Sequence, residues 1–147
     1  MEFIPNTGER LYPVGRLDQN STGLILLTND GDMALKMTHP RYHLPKTYVV
    51  TTDEAITNEQ LEQLKEGVII HEDKLTAPAE ITRRGTKSFE IILHQGMKRQ
   101  IREMCKTVGL NVATLHRIKI GPISIGDLRI GEYRELSEEE INQLMQS

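Results

Sequence analysis

The run Gly15-Arg16-Leu17-Asp18-Gln19-Asn20-Ser21-Thr22-Gly23-Leu24-Ile25-Leu26-Leu27-Thr28-Asn29-Asp30-Gly31 feeds a carboxylate, set in a polar loop bounded by glycines, straight into an apolar stretch. Residues 24–28 are too few and too apolar for an amphipathic helix and read as a buried strand. A charged loop carried on a rigid strand is a usual way of presenting a catalytic group. Taken alone, however, Asp18 reads more simply as a turn or cap residue, because Asp is common in loops.

Working outward, Asp30 or Asp32 caps a short helix through about Met37, which ends before His39-Pro40. Residues 47–52 are rich in Thr and Val and form the next strand. Thr57-Asn58-Glu59-Gln60 is a capping box that opens a helix with Leu61 and Leu64 inward, and Gly67 stops it. Short strands are expected at 68–71 and 79–83, then at 88–93 after the turn Arg84-Gly85-Thr86. Residues 97–108 put Ile101, Met104, Cys105 and Val108 on one helical face, with Gly109 as the terminating residue. Residues 112–120 alternate enough for a strand with one wet face. Ser137-Glu138-Glu139-Glu140 is a second capping box, opening a terminal helix buried through Ile141 and Leu144. Strands grouped between a few helices, with hairpin-length turns, predict an α+β fold with a mixed, largely antiparallel sheet.

At 147 residues, with neither repeat nor linker, the chain is the size of one domain. The single cysteine, Cys105, cannot form an internal disulfide, and no Cys/His set has zinc-site spacing. A reducing compartment without a structural metal is therefore expected. No apolar stretch approaches the roughly 20 residues of a membrane span, and the first residues lack a basic-then-apolar signal pattern. The expectation is a cytoplasmic protein with no membrane partner.

The net charge of −3 is unevenly distributed. From His94 to Ile120 the cations Lys98, Arg99, Arg102, Lys106, Arg117 and Lys119 face only Glu103, a local +5. From Asp53 to Asp73 the anions Asp53, Glu54, Glu59, Glu62, Glu66, Glu72 and Asp73 face only Lys65, a local −6. Attraction to phosphate is local, so a basic face with an acidic back is compatible with nucleic-acid binding.

Three ordered blocks carry a family resemblance: Gly15-Arg16-Leu17-Asp18 with the residues to Gly31; Lys46-Thr47-Tyr48-Val49-Val50; and Gly96-Met97-Lys98-Arg99-Gln100-Ile101-Arg102-Glu103-Met104, followed by Arg117-Ile118-Lys119-Ile120-Gly121-Pro122. Together they resemble the ribosomal-RNA pseudouridine synthases of the RsuA/RluB type. The resemblance implies a mixed sheet with flanking helices and a central cleft, no cofactor, and ribosomal RNA as partner. It also assigns Asp18 as the nucleophile, Arg102 as the cation paired with it, and Tyr48 as the residue against the target base.

These assignments suit the chemistry. Pseudouridine formation breaks the N-glycosidic bond of a uridine, turns the base and rejoins it through carbon. The base must first be drawn out of the stack and held by stacking and edge contacts. A guanidinium beside a carboxylate lowers its pKa and fixes its geometry, and a tyrosine offers both a stacking face and a hydroxyl. Each residue also has a plainer explanation: Arg102 as a solvated helix residue, Tyr48 as strand packing. Arg16, Lys46, Lys98, Arg99, Gln100, Arg117 and Lys119 are expected to form a polar, mostly basic RNA track. His39 and His43, lacking a partner acid, read as structural or RNA-facing.

Members of the family usually carry an S4-type RNA-binding domain and a Lys-Pro-Gly strand ahead of Gly-Arg-Leu-Asp, whereas residues 1–14 alone precede Gly15 in this sequence. Residues 1–147 therefore correspond to a partial catalytic domain with no S4 domain. An open sheet edge left by the missing strand invites homodimerisation. Two other readings stand beside the isomerase: a non-catalytic RNA-binding remnant of the same fold, and a plain α+β oligomerisation domain. Retention of Asp18, Tyr48 and Arg102 together favours the isomerase.

Overall fold

Lys46-Thr47-Tyr48-Val49-Val50-Thr51-Thr52 is rich in residues that suit a pleated, half-buried surface, and it forms the central strand of the main sheet. A computed structural model of the chain describes residues 12–14, 22–28, 44–94, 99–121, 123, 124, 140 and 143. Among these, the elements are β1 (Tyr12–Val14), β2 (Thr22–Gly23), β3 (Leu26–Thr28), β4 (Lys46–Thr52), α1 (Asn58–Glu66), β5 (Ile69–Ile70), β6 (Lys74–Leu75), β7 (Glu80–Gly85), β8 (Ser88–Leu93), α2 (Gln100–Thr107), β9 (Val112–Ile120) and β10 (Ile123–Ser124). The main sheet runs β10-β9-β4-β8-β7, antiparallel throughout. β2 joins β9 in parallel, which makes the sheet mixed. β1 with β3, and β5 with β6, form two small antiparallel ladders. The chain has the expected α+β fold.

Register sets the core. Val50 lies opposite Phe89 on β8 and Leu115 on β9, and Ile91 lies opposite Ile81 on β7. This face packs against Leu61 and Leu64 of α1 and Ile101, Met104 and Cys105 of α2, all buried. Fully burying one such side chain is worth about 1.5–3 kcal/mol.

The helix ends follow local rules. Thr57 Oγ1 accepts from the Gln60 N–H at 3.1 Å and Gln60 Oε1 accepts from the Thr57 N–H at 2.9 Å, closing the predicted capping box. Gln60 Nε2 also donates to the Val108 carbonyl at 2.9 Å, tying α1 to the end of α2. At that end Gly109, at φ 88°, donates to the Lys106 carbonyl at 3.1 Å, and Leu110 donates to that of Cys105 at 2.8 Å. This is the Schellman arrangement that a helix-terminating glycine permits. Before α1, Glu54 accepts from the Asn111 backbone N–H at 2.9 Å and from Asn111 Nδ2 at 2.7 Å. The backbone bond leads the effects that hold the Glu54 carboxyl below its ordinary value.

Some expectations are altered. The strand expected over 24–28 is shorter, as β3, because the Leu24 N–H turns to the Arg117 carbonyl at 2.9 Å. The strand expected at 68–71 is limited to β5, because His71 and Glu72 take positive φ values of 49° and 71° and turn the chain into β6. The helix through Met37, the loop with His39 and His43, and the capping box at Ser137 lie outside the described residues; Glu140 and Gln143 are helical.

Candidate active site

Tyr48 on β4 stands directly opposite Arg117 on β9 and Ile91 on β8, so these side chains leave the sheet on one face. Tyr48 is half-buried and packs against the core. Lys46, two residues earlier on the same strand, shares that face. Burial, and secondarily the charge of Arg117, hold the Lys46 ammonium below its ordinary pKa of 10.5. Two cations thus flank one tyrosine.

A bulge decides which basic residues reach this face. Thr47 pairs with Lys119, but Tyr48 pairs with Arg117, so Ile118 is the extra residue on β9. In a regular strand Arg117 and Lys119 would project to the same side. The bulge instead turns Lys119 to the opposite, exposed side and Arg117 into the interior, where it is 1% exposed.

Arg117 also holds Leu24, six residues after Asp18 in the chain. Its Nε donates to the Leu24 carbonyl at 2.8 Å, while its own backbone carbonyl accepts the Leu24 N–H at 2.9 Å. Thr22 Oγ1 and His116 Nδ1 share a hydrogen bond of 2.8 Å. Gly23 sits between them at φ +122°, and a Cβ there would overlap the Arg117 backbone. Arg117 Nη2 is buried with no hydrogen-bond partner among the described residues.

Arg102 lies in α2, half-buried, one position after the inward Ile101. Cys105 is wholly buried in the same helix, and that burial pushes its thiol up to about 12, so it is no nucleophile at neutral pH. Arg99, half-buried, precedes α2 in a left-handed conformation with φ 50°. Gln100 is 3% exposed, with its Nε2 3.8 Å from Met104 Sδ. Gln100 and Arg117, expected on the polar, mostly basic RNA track, are interior residues: the start of α2 packs Gln100 inward, and the bulge does the same to Arg117. Asp18, Arg16 and Lys98 lie outside the described residues. Among the described residues no group of three His, Cys, Asp or Glu is placed to hold a metal.

Thr22 and Leu24 fall inside the first block that carries the resemblance, but sequence reasoning gave neither of them, nor His116, a role in this region. The signal available was Gly23 in a run that was otherwise strand-like, since an isolated strand glycine often marks a close approach of backbones.

Comparison with known proteins decides the family. Residues 4–107 match the family model described as RNA pseudouridylate synthase. The chain belongs to that family. It is 36% identical to the ribosomal large subunit pseudouridine synthase B of Bacillus subtilis, over 97% of this chain and 61% of the relative. It is 40% identical to the ribosomal small subunit pseudouridine synthase A of Escherichia coli, over 90% of this chain and 58% of the relative. A crystal structure of a pseudouridylate synthase superposes with a TM-score of 0.88 at 33% identity, covering 97% of this chain and 64% of that one. The pseudouridine synthase fold expected from the three blocks is therefore present, and the chain spans about three fifths of the length of the curated relatives it matches.

Proposed function

We propose that residues 1–147 belong to the catalytic domain of a pseudouridine synthase that isomerises a uridine in ribosomal RNA, with Asp18 as nucleophile and no cofactor. The observation that carries this reading is the membership of the family together with the placement of Tyr48 between Lys46 and Arg117 on one face of the sheet. A half-buried aromatic ring among cations is suited to an unstacked base on an anionic backbone.

In the reaction the bond from uracil N1 to the sugar C1′ breaks, the base turns, and C5 bonds to C1′. The proton leaves C5 and N1 gains one, so the product is an isomer of the substrate. Asp18 forms the transient covalent link that splits this exchange into easier steps, and it is released unchanged. Arg102 keeps the Asp18 carboxylate ionised and oriented. Tyr48 holds the turning base and places its hydroxyl within reach of the mobile proton. Arg16, Lys46, Lys98, Arg99 and Lys119 contribute phosphate attraction. The partner is ribosomal RNA and the compartment is the cytoplasm. Among the described residues no helix is long and apolar enough to cross a membrane.

Turnover is measured by tritium release from ribosomal RNA that lacks its natural modifications and carries tritium at uracil C5. Asp18→Asn is expected to abolish release while RNA affinity stays within about twofold, because the carboxylate acts in chemistry more than in binding. Unchanged release in Asp18→Asn would remove the nucleophile assignment. Tight RNA binding by a wild-type chain that releases no tritium would favour the RNA-binding module instead.

A further inference from the structure

We propose that Arg117 is a positioning residue for the reaction, fastening the strand that leaves the Asp18 loop to the strand pair that carries Tyr48. The inference rests on the reading of Asp18 given above and adds to it the means by which the loop is held.

Three adjacent residues, Thr22, Gly23 and Leu24, are each committed to His116 or Arg117. Thr22 meets His116 through its hydroxyl at 2.8 Å. Gly23 lies so close to the Arg117 backbone that only a glycine fits, in a φ that only a glycine takes up readily. Leu24 is held at both backbone groups, its N–H by the Arg117 carbonyl at 2.9 Å and its carbonyl by Arg117 Nε at 2.8 Å. This attachment begins four residues after Asp18 in the chain. Across β9 the same Arg117 is the direct neighbour of Tyr48. One residue therefore bonds the segment that follows Asp18 through its side chain and stands opposite the residue assigned to the base in the strand register.

Packing alone does not account for an arginine here. Ile91, Leu115 and Ile120 on the same face of the sheet are all buried, and Lys46 adds a second positive charge. A methionine would fill similar volume without bringing a cation into a buried site. What methionine cannot do is donate to the Leu24 carbonyl, and lysine cannot reproduce the planar fork of the guanidinium. Displacing a reacting group by about 1 Å costs on the order of a hundredfold in rate, so a clamp on the loop is read out in chemistry rather than in RNA affinity.

The test uses the full chain, with Arg117→Met, Arg117→Lys and Thr22→Val, and two measurements. Single-turnover tritium release is expected to fall about tenfold to a hundredfold in both Arg117 variants and roughly threefold in Thr22→Val, which loses one exposed hydrogen bond. Affinity for the RNA should stay within about twofold in all three. In hydrogen exchange, the Leu24 amide should lose protection in Arg117→Met while the amides of β4 and β8 keep theirs, a local loosening that general destabilisation does not produce. Should Arg117→Met fail to fold, Arg117→Lys and the exposed Thr22→Val carry both measurements. Full turnover in the Arg117 variants, a loss confined to RNA affinity, or an unchanged Leu24 amide would each overturn the proposal. A wild-type chain without turnover would fail the proposed function in its own control, and the exchange measurement would still decide the clamp.

Discussion

Gly23 combines a φ of +122° with a backbone approach that leaves no room for a Cβ against the Arg117 carbonyl. Gly23→Ala must strain the dihedral and push two strands apart, at an expected cost of about 2–4 kcal/mol. Urea denaturation followed by circular dichroism measures this, and a loss below about 1 kcal/mol, the size of an ordinary surface or helix substitution, would mean the close approach is not kept in solution. Glu54 makes a prediction of a different kind. Its carboxyl is held below the ordinary 4.5, with the Asn111 backbone N–H as the leading cause. Its contribution to stability is therefore present above about that ordinary value and is lost as the pH falls through the lowered one. Glu54→Gln should flatten the stability profile on the acid side of pH 4.5 and leave the neutral region nearly unchanged, apart from a constant offset. An acid limb identical to wild type would show that Glu54 is not linked to folding.

Among the elements, those governed by neighbouring residues were legible in advance. The capping box at Thr57, the inward Leu61 and Leu64, the stop at Gly67, the span of β9 and the closure of α2 by Gly109 all obey rules that act within a few residues. What was not legible depends on the partner strand. Alternation over 112–120 places Arg117 and Lys119 together, and only the pairing with Thr47 and Tyr48 reveals the bulge that separates them. The pairing of β2 with β9 has no local mark beyond one glycine. As for the site, Tyr48 lies on the core face and beside cations, whereas Gln100 and Arg117 of the expected polar, mostly basic track are buried. The joint between α1 and α2 offers a further test. Gln60→Glu retains an oxygen for the Thr57 N–H but loses the amide that donates to the Val108 carbonyl, so it should cost about 1 kcal/mol. Thermal denaturation above pH 6 measures it, and an unchanged midpoint would show that this bond adds nothing.

At the scale of the whole molecule, the main sheet has, among the described residues, two differently built margins. β7 presents Glu80, Thr82, Arg83 and Arg84 to solvent, and Arg84 reaches Glu90 at 3.0 Å. Charged side chains on an edge strand discourage pairing with a second chain, so homodimerisation through an open edge is not favoured at β7. The other margin, along β9, is covered by β10 and by β2. β10 begins three residues after β9 ends, but β2 arrives from a point 94 residues away in the chain, as the Thr22 and His116 pair shows. Bringing such distant segments together costs chain entropy before any contact repays it. In pulse-labelled refolding the amides of β7 and β8 should gain protection first and that of Leu24 last, and simultaneous protection would contradict this order. On that order the segment next to Asp18 docks last, onto a sheet whose other strands have already closed.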